Sequence, residues 1–308
     1  MGKINLHTHS KHSLDGTLDI NEIINESFNN GISYLSITDH NTCDAYLDLD
    51  INTINKNGVI IYGMEADSLI NNVTYDILCY GFDLNKVNSW AKEQYGTIES
   101  RQTKIYAMLE ELCEKLNLKL DKSNPYNPEK EFAHAAVFRM LETSNENKDF
   151  LSKYKIENVN DLYRESSMNK DFPLYIDMSI VWPKIETLSK IIHENGGKIF
   201  LAHPYKYVKN VEVDKILNSC LSYIDGIEIS NEPKNAEEVL YLYNFAKENN
   251  LLICAGSDYY GSKEHKYFNV EFLTENIAWC DDFIYWSFQP ESNRRPLAYH
   301  ASALPTEL

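Results

Sequence analysis

The sequence has no surplus of positive charge. Its 29 Lys and Arg stand against 46 Asp and Glu, a formal net charge of −17. Repulsion from a phosphate backbone would have to be overcome locally, which argues against binding long nucleic acid regardless of sequence. Small anions met through metal ions remain open to such a chain. No apolar run approaches the roughly 20 residues of a membrane-spanning helix, and no basic-then-apolar leader precedes the first strand-like residues. The expectation is a soluble cytoplasmic protein with no membrane partner. Cys43, Cys79, Cys113, Cys220, Cys254 and Cys280 show no C-x-x-C spacing, and Cys79 and Cys254 sit in apolar strand-like runs. Buried free thiols are expected rather than disulfides. Neither a Gly-x-Ser-x-Gly nor a P-loop pattern occurs, which weighs against serine hydrolases and nucleoside triphosphatases. No repeat or low-complexity tract is visible. A chain of 308 residues can therefore form one large α/β domain, expected over 1–288. The stretch 289–308 lacks apolar periodicity and is expected to be a disordered tail in which His300 plays no part.

What the chain does have is histidine and carboxylate at the ends of apolar segments. Ile4 and Leu6 read as a short buried strand, and alternate residues of an extended chain point the same way, so His7 and His9 project together. Asp15, beside the turn-permitting Gly16, can fold back toward them. A strand over Tyr34 to Ile37 ends in Thr38-Asp39-His40, where Asp39 either orients an imidazole or caps the next helix. The strand Val59 to Tyr62 closes at Gly63-Met64-Glu65. Val73 to Phe82 is another strand, carrying Asp76 in an apolar setting where an unpaired carboxylate is rare. Further on, the strand Lys198 to Ala202 runs into His203-Pro204, and Leu251 to Ala255 runs into Gly256-Ser257-Asp258.

Between about 85 and 177 the alternation of strand and helix lapses into amphipathic helices, one beginning near Arg101 and one around Phe132 to Leu141. We expect a helical insertion over the mouth of the fold, with Arg101, Lys104, His134 and Arg139 as candidates to touch substrate. His193, in the last turn of a later helix, reads as surface.

In a closed parallel barrel the strand ends all open on one face. His7, His9, His40, Glu65, His203 and Asp258 would then converge, giving more ligands than one tetrahedral ion can use. Mixed imidazole and carboxylate ligation suits Zn, Mn or Fe, and two or three divalent ions are implied. Such clusters activate water and neutralise a phosphoryl group.

The segments His7-Thr8-His9 through Asp15-Gly16, Ile37-Thr38-Asp39-His40-Asn41, Gly63-Met64-Glu65, Leu201-Ala202-His203-Pro204, Gly226-Ile227-Glu228 and Gly256-Ser257-Asp258 resemble the PHP (polymerase and histidinol phosphatase) metallo-hydrolases. The region of Arg101 and His134 looks most like the branch that hydrolyses nucleoside 3',5'-bisphosphates and short oligonucleotides. The resemblance implies a distorted seven-stranded (β/α) barrel, TIM-like, with a helical insertion. It further implies a metal-dependent phosphoesterase acting on a small phosphorylated substrate. By that likeness His7, His9, Glu65 and Asp258 hold one ion, while Asp15, His40 and His203 help hold the others. Asp15, His40, His203 and Asp258 would be the catalytic residues, with Arg101, His134 and Arg139 binding substrate. Asp76 stands where the family usually carries a histidine and can still ligate. Tyr260 stands where the closing motif usually carries one and is a poor ligand, with His265 a nearby substitute. The arginine usually found just before His134 is absent, leaving Arg101 or Arg139 to serve. Histidinol-phosphate phosphatase and a metal- or partner-binding module without turnover are the alternatives.

Overall fold

A computed structural model of the chain describes residues 3–50, 58–207, 212–230, 236–261, 280, 283 and 284. Strands β1 (Lys3–Asn5), β2 (Ile32–Leu35) and β3 (Val59–Ile60) form a parallel three-stranded sheet. Five further strands, β4 (Gly63–Ile70), β5 (Val73–Tyr80), β6 (Lys198–Leu201), β7 (Gly226–Ser230) and β8 (Leu252–Ala255), form a second sheet in that order. The sheets are stitched together at both sides. Leu6 N donates to Ala255 O at 3.1 Å and Asp258 N to His7 O at 2.9 Å, while Asn41 N donates to Glu65 O at 2.8 Å.

This pairing corrects the expected seven-stranded parallel barrel. Among the described residues the strands divide three and five, and β5 runs antiparallel to both β4 and β6. The reversal follows from Asn71-Asn72, both at positive φ (54° and 63°), which make the two-residue turn that suits a twisted hairpin. Gly63 to Asp67, read from sequence as a loop, is instead the start of β4, whose eight residues are all buried. With both faces covered, the period-two alternation that marks a strand is lost.

Helix α1 (Ile20–Asn29) starts at a capping box in which Asp19 accepts from Glu22 N and the Glu22 side chain accepts from Asp19 N. That arrangement satisfies two otherwise orphaned donors. Ile20, Ile23, Ile24 and Phe28 form its buried face. Helices α2 (Leu84–Tyr95), α3 (Ile98–Lys115), α4 (Ala133–Glu142), α5 (Lys148–Lys153) and α6 (Val159–Met168) follow β5 without an intervening strand. Regular order resumes with α7 (Ile185–Glu194), α8 (Val213–Cys220) and α9 (Ala236–Glu248) between and beside the later strands. The core is continuous through both sheets. Tyr80 Oη, itself fully buried, donates to Leu6 O at 2.7 Å.

All six cysteines are buried, and none is in a disulfide among the described residues. Among the described residues no helix is long and apolar enough to cross a membrane. His265 and the stretch 289–308 lie outside the described residues.

Candidate metal centre

The chain leaving β1 keeps its extended course, so His7 and His9 share one side, 5.2 Å apart between ring centroids. Gly256 backs directly onto them: a Cβ there would lie 2.3 Å from both Cβ and N of His7, so only glycine permits this approach. His203 and Asp258 hold positive φ (29° and 52°). Residues other than glycine seldom do, and such conformations concentrate at functional sites.

These side chains meet in three groups whose ligand atoms lie within 4.8 Å of one another: His7, His9, Glu65 and Asp258; His9, Asp15 and His40; and Glu65, Asp76 and His203. Every metal ligand expected from sequence is therefore in the cluster. Glu65 is its hub. Its Oε1 lies 2.9 Å from His203 Nε2. Its Oε2 lies 3.1 Å from His7 Nε2, 3.2 Å from His9 Nε2 and 3.4 Å from His40 Nδ1. Asp258 Oδ1 is 3.1 Å from His9 Nε2 and 3.4 Å from His7 Nε2, and Asp15 Oδ2 is 3.4 Å from His40 Nε2.

The donor set fits divalent ions. Glu65 Oε2, amid three imidazole nitrogens, is buried without a hydrogen bond, and an orphaned buried carboxylate oxygen is costly unless something fills the gap. His7 Nε2 and His9 Nε2 face each other at 3.2 Å. Their outward nitrogens show why neither carries the proton inward. His7 Nδ1 lies 3.0 Å from Glu228 Oε1, a carboxylate that can only accept. His9 Nδ1 lies 3.2 Å from Ser13 Oγ, whose own hydrogen goes to Asp39 Oδ1 at 3.0 Å. In their neutral form both imidazoles thus present a bare Nε2 to the centre, as metal-ligating histidines do. Asp76 is oriented by Tyr207, whose hydroxyl accepts from Asp76 N at 2.9 Å and donates to Asp76 Oδ2 at 3.2 Å.

Without ions, protons take the cations' place. Burial opposes the charge on His7, yet Glu65, Glu228 and Asp258 outweigh it and hold its pKa well above the usual value. Against the same burial, Asp15, Asp258 and Glu65 push His9 up to about 10. Glu65 and Asp15 push His40 up to about 10. In return, and against burial, the imidazoles hold Asp15, Glu65 and Asp258 low, with Lys206 also acting on Asp258.

The proposed substrate residues separate. Arg101 and His134 are buried and line a cavity of about 260 Å³ that also borders Asp15, His40 and Asp76. Arg139 is tied to Glu131 by two bonds of 2.9 and 2.8 Å and to Asn124 O, and it is not among that cavity's lining residues. Lys104 is exposed. His193 pairs with Asp225 at 2.6 Å on the surface, as its position suggested. Sequence reasoning missed Glu228 and Ser13 as supports of the ligands, Lys206 beside Asp258, and Asp67, whose carboxyl is pushed up to about 7 by burial and by Asp76. A fully buried glutamate inside the apolar β7 was the available signal for Glu228.

Glu228 Oε2 also accepts from His203 N at 2.8 Å, so one carboxylate positions two ligands. Glu228→Gln is expected to lower metal affinity about 10- to 100-fold in a calorimetric titration. Unchanged affinity would mean that Glu228 only fills space.

Two sheets with imidazoles and carboxylates gathered between them define a mixed α/β protein whose clustered side chains could hold metal ions. The PHP domain model matches residues 5–199, and the chain belongs to the PHP domain family. It is 24% identical over 268 residues to a 5'-3' exoribonuclease of Haemophilus influenzae, covering 84% of this chain and 90% of that one. Its fold is similar to that of a Bifidobacterium adolescentis protein named as a metal-dependent phosphoesterase (TM-score 0.56, 18% identity, 83% of this chain and 87% of that one). It is also similar to that of an amidohydrolase from Chromobacterium violaceum, solved with bound sulfate and no metal (TM-score 0.58, 20% identity, 85% and 89%).

Proposed function

We propose that the protein is a metal-dependent phosphoesterase that hydrolyses a small phosphate ester, a nucleotide or phosphorylated metabolite. The observation that carries this reading is the three-group ligand cluster opening beside a cavity walled by α3, α4 and α6. His7, His9, Glu65 and Asp258, and Glu65, Asp76 and His203, would each hold an ion, which when bound would activate water and offset phosphoryl charge. The chain's residues do the rest. Glu228 and the Asp39–Ser13 pair keep the histidine tautomers fixed, and burial keeps competing water out. In the overall step water oxygen bonds to phosphorus and the ester P–O bond breaks. The leaving oxygen takes one proton, and the water gives up one.

The non-reacting part of the substrate occupies the cavity. Among the described residues Arg101 Nε, His134 Nε2 and Trp182 Nε1 are buried without hydrogen-bond partners, and all three side chains line it. Arg101 has only Nη1 engaged, at 3.0 Å to Gly96 O and 3.3 Å to Tyr95 O, leaving the rest of its fork for an anionic or acceptor-rich group. With an exoribonuclease among the relatives, nucleotides and short RNAs are the first substrates to try.

Purified protein loaded with Mn is expected to release phosphate or mononucleotide from a panel of nucleoside mono- and bisphosphates, short 5'-phosphorylated RNAs and histidinol phosphate. His7→Ala is expected to lose this activity. Stable ion loading with no turnover across the panel would favour the non-catalytic module instead.

A further inference from the structure

We propose that the centre retains two ions rather than three, and that the Lys206 ammonium supplies the missing positive charge to the phosphoryl group. This rests on the phosphoesterase reading for its chemistry, though not for its ion count. Of the three groups, the one of His9, Asp15 and His40 is borrowed. His9 Nδ1 is spent on Ser13 Oγ, which also accepts from His40 N at 2.8 Å and donates to Asp39. Only Nε2 remains to ligate, and it already sits 3.1 Å from Asp258 Oδ1 and 3.2 Å from Glu65 Oε2. An imidazole nitrogen has one lone pair, so serving the four-residue group leaves Asp15 and His40, among the described residues, without a third strong ligand of their own group. Tyr260 lines a second cavity, of about 210 Å³, together with these two. A phenol oxygen is a far poorer ligand for a divalent ion than an imidazole nitrogen.

Lys206 lies in the short 3₁₀ turn Pro204–Tyr207 that follows His203. The turn brings its Nζ against Asp258 Oδ2, the oxygen that does not face His7 and His9. Its side chain is 38% exposed and lines that second cavity with Asp15, His40, His203 and Tyr260. An ammonium placed there pairs with non-bridging phosphoryl oxygens as their charge develops. A purely structural lysine would only hold Asp258.

Elemental analysis of the dialysed, Mn-loaded protein is expected to give about two equivalents, rising to three in Tyr260→His. Lys206→Met is expected to keep both ions yet weaken binding of inorganic phosphate to the loaded protein about 10- to 100-fold, with Lys206→Arg recovering much of the loss. In the Tyr260→His background the same Lys206→Met change should cost little. Three equivalents in the natural protein, or loss of ions from Lys206→Met, would overturn the proposal. So would an undiminished penalty in the double variant. Failure of every phosphate ester as substrate would instead strike the phosphoesterase reading, because ion count and phosphate binding are read without turnover.

Discussion

Glu65→Gln is expected to empty most of the centre and to lower turnover by at least about 10²- to 10³-fold. The size follows from position. One oxygen of Glu65 serves His203 and the other sits amid His7, His9 and His40, so the substitution removes a ligand from two ion groups at once. Glutamine keeps the volume and one acceptor, so the fold should survive and the loss should appear as missing metal. Elemental analysis and activity on the same preparation check this. Full metal content with full activity would remove Glu65 from the role of shared ligand.

The second large effect concerns pH in the absence of ions. His9 and His40 have pKa values raised from 6.5 to about 10 in the folded protein. Between those values the folded state binds more protons than the unfolded one, and stability therefore falls as pH rises. The contribution is fully present below about 6.5 and is lost on approaching 10. The lowered pKa values of Asp15, Glu65 and Asp258 act oppositely. Their contribution is present above the ordinary carboxylate range and is lost on acidification. Chelator-treated protein should accordingly melt at progressively lower temperature from pH 6.5 to 10. Mn-loaded protein should hold its melting temperature better, since ions replace the protons and are bound more tightly as the imidazoles deprotonate. Parallel melting profiles with and without Mn would contradict the assignment of these histidines as ligands.

The ligands themselves were legible because each is a polar residue at the edge of an apolar run. His7, His9, His40, His203 and Asp258 needed only the rule that strand ends converge. Glu65 was expected just past a strand; it lies within β4 instead, and its carboxylate joins the cluster from there. The Asn71-Asn72 reversal that makes β4 and β5 a hairpin has no signature in hydrophobic periodicity, and with it went the parallel barrel count. The supporting residues were harder still. Asp39, beside His40, was already a candidate to orient an imidazole, but Ser13 and Glu228 act through hydrogen bonds to residues 26 and 221 positions away, and no local pattern encodes such partners. Lys206 was hidden by resembling ordinary surface lysine until the turn after His203 set it against Asp258. Arg101 and Arg139 looked alike on paper. Only packing distinguishes the buried one from the one held by Glu131.

The stitching of β1 to β8 bears on how the protein comes to be made. His7 and His9 leave the ribosome some 250 positions ahead of their partner Asp258 and the Gly256 that admits His7. A nascent chain can pair β1 with β2 early, because that contact is comparatively short in sequence. Its first ion shell stays open until the β8 segment docks. Cation capture is thus a late event in biogenesis, and a polypeptide truncated before that docking retains the histidines but not the means to seal the ion in.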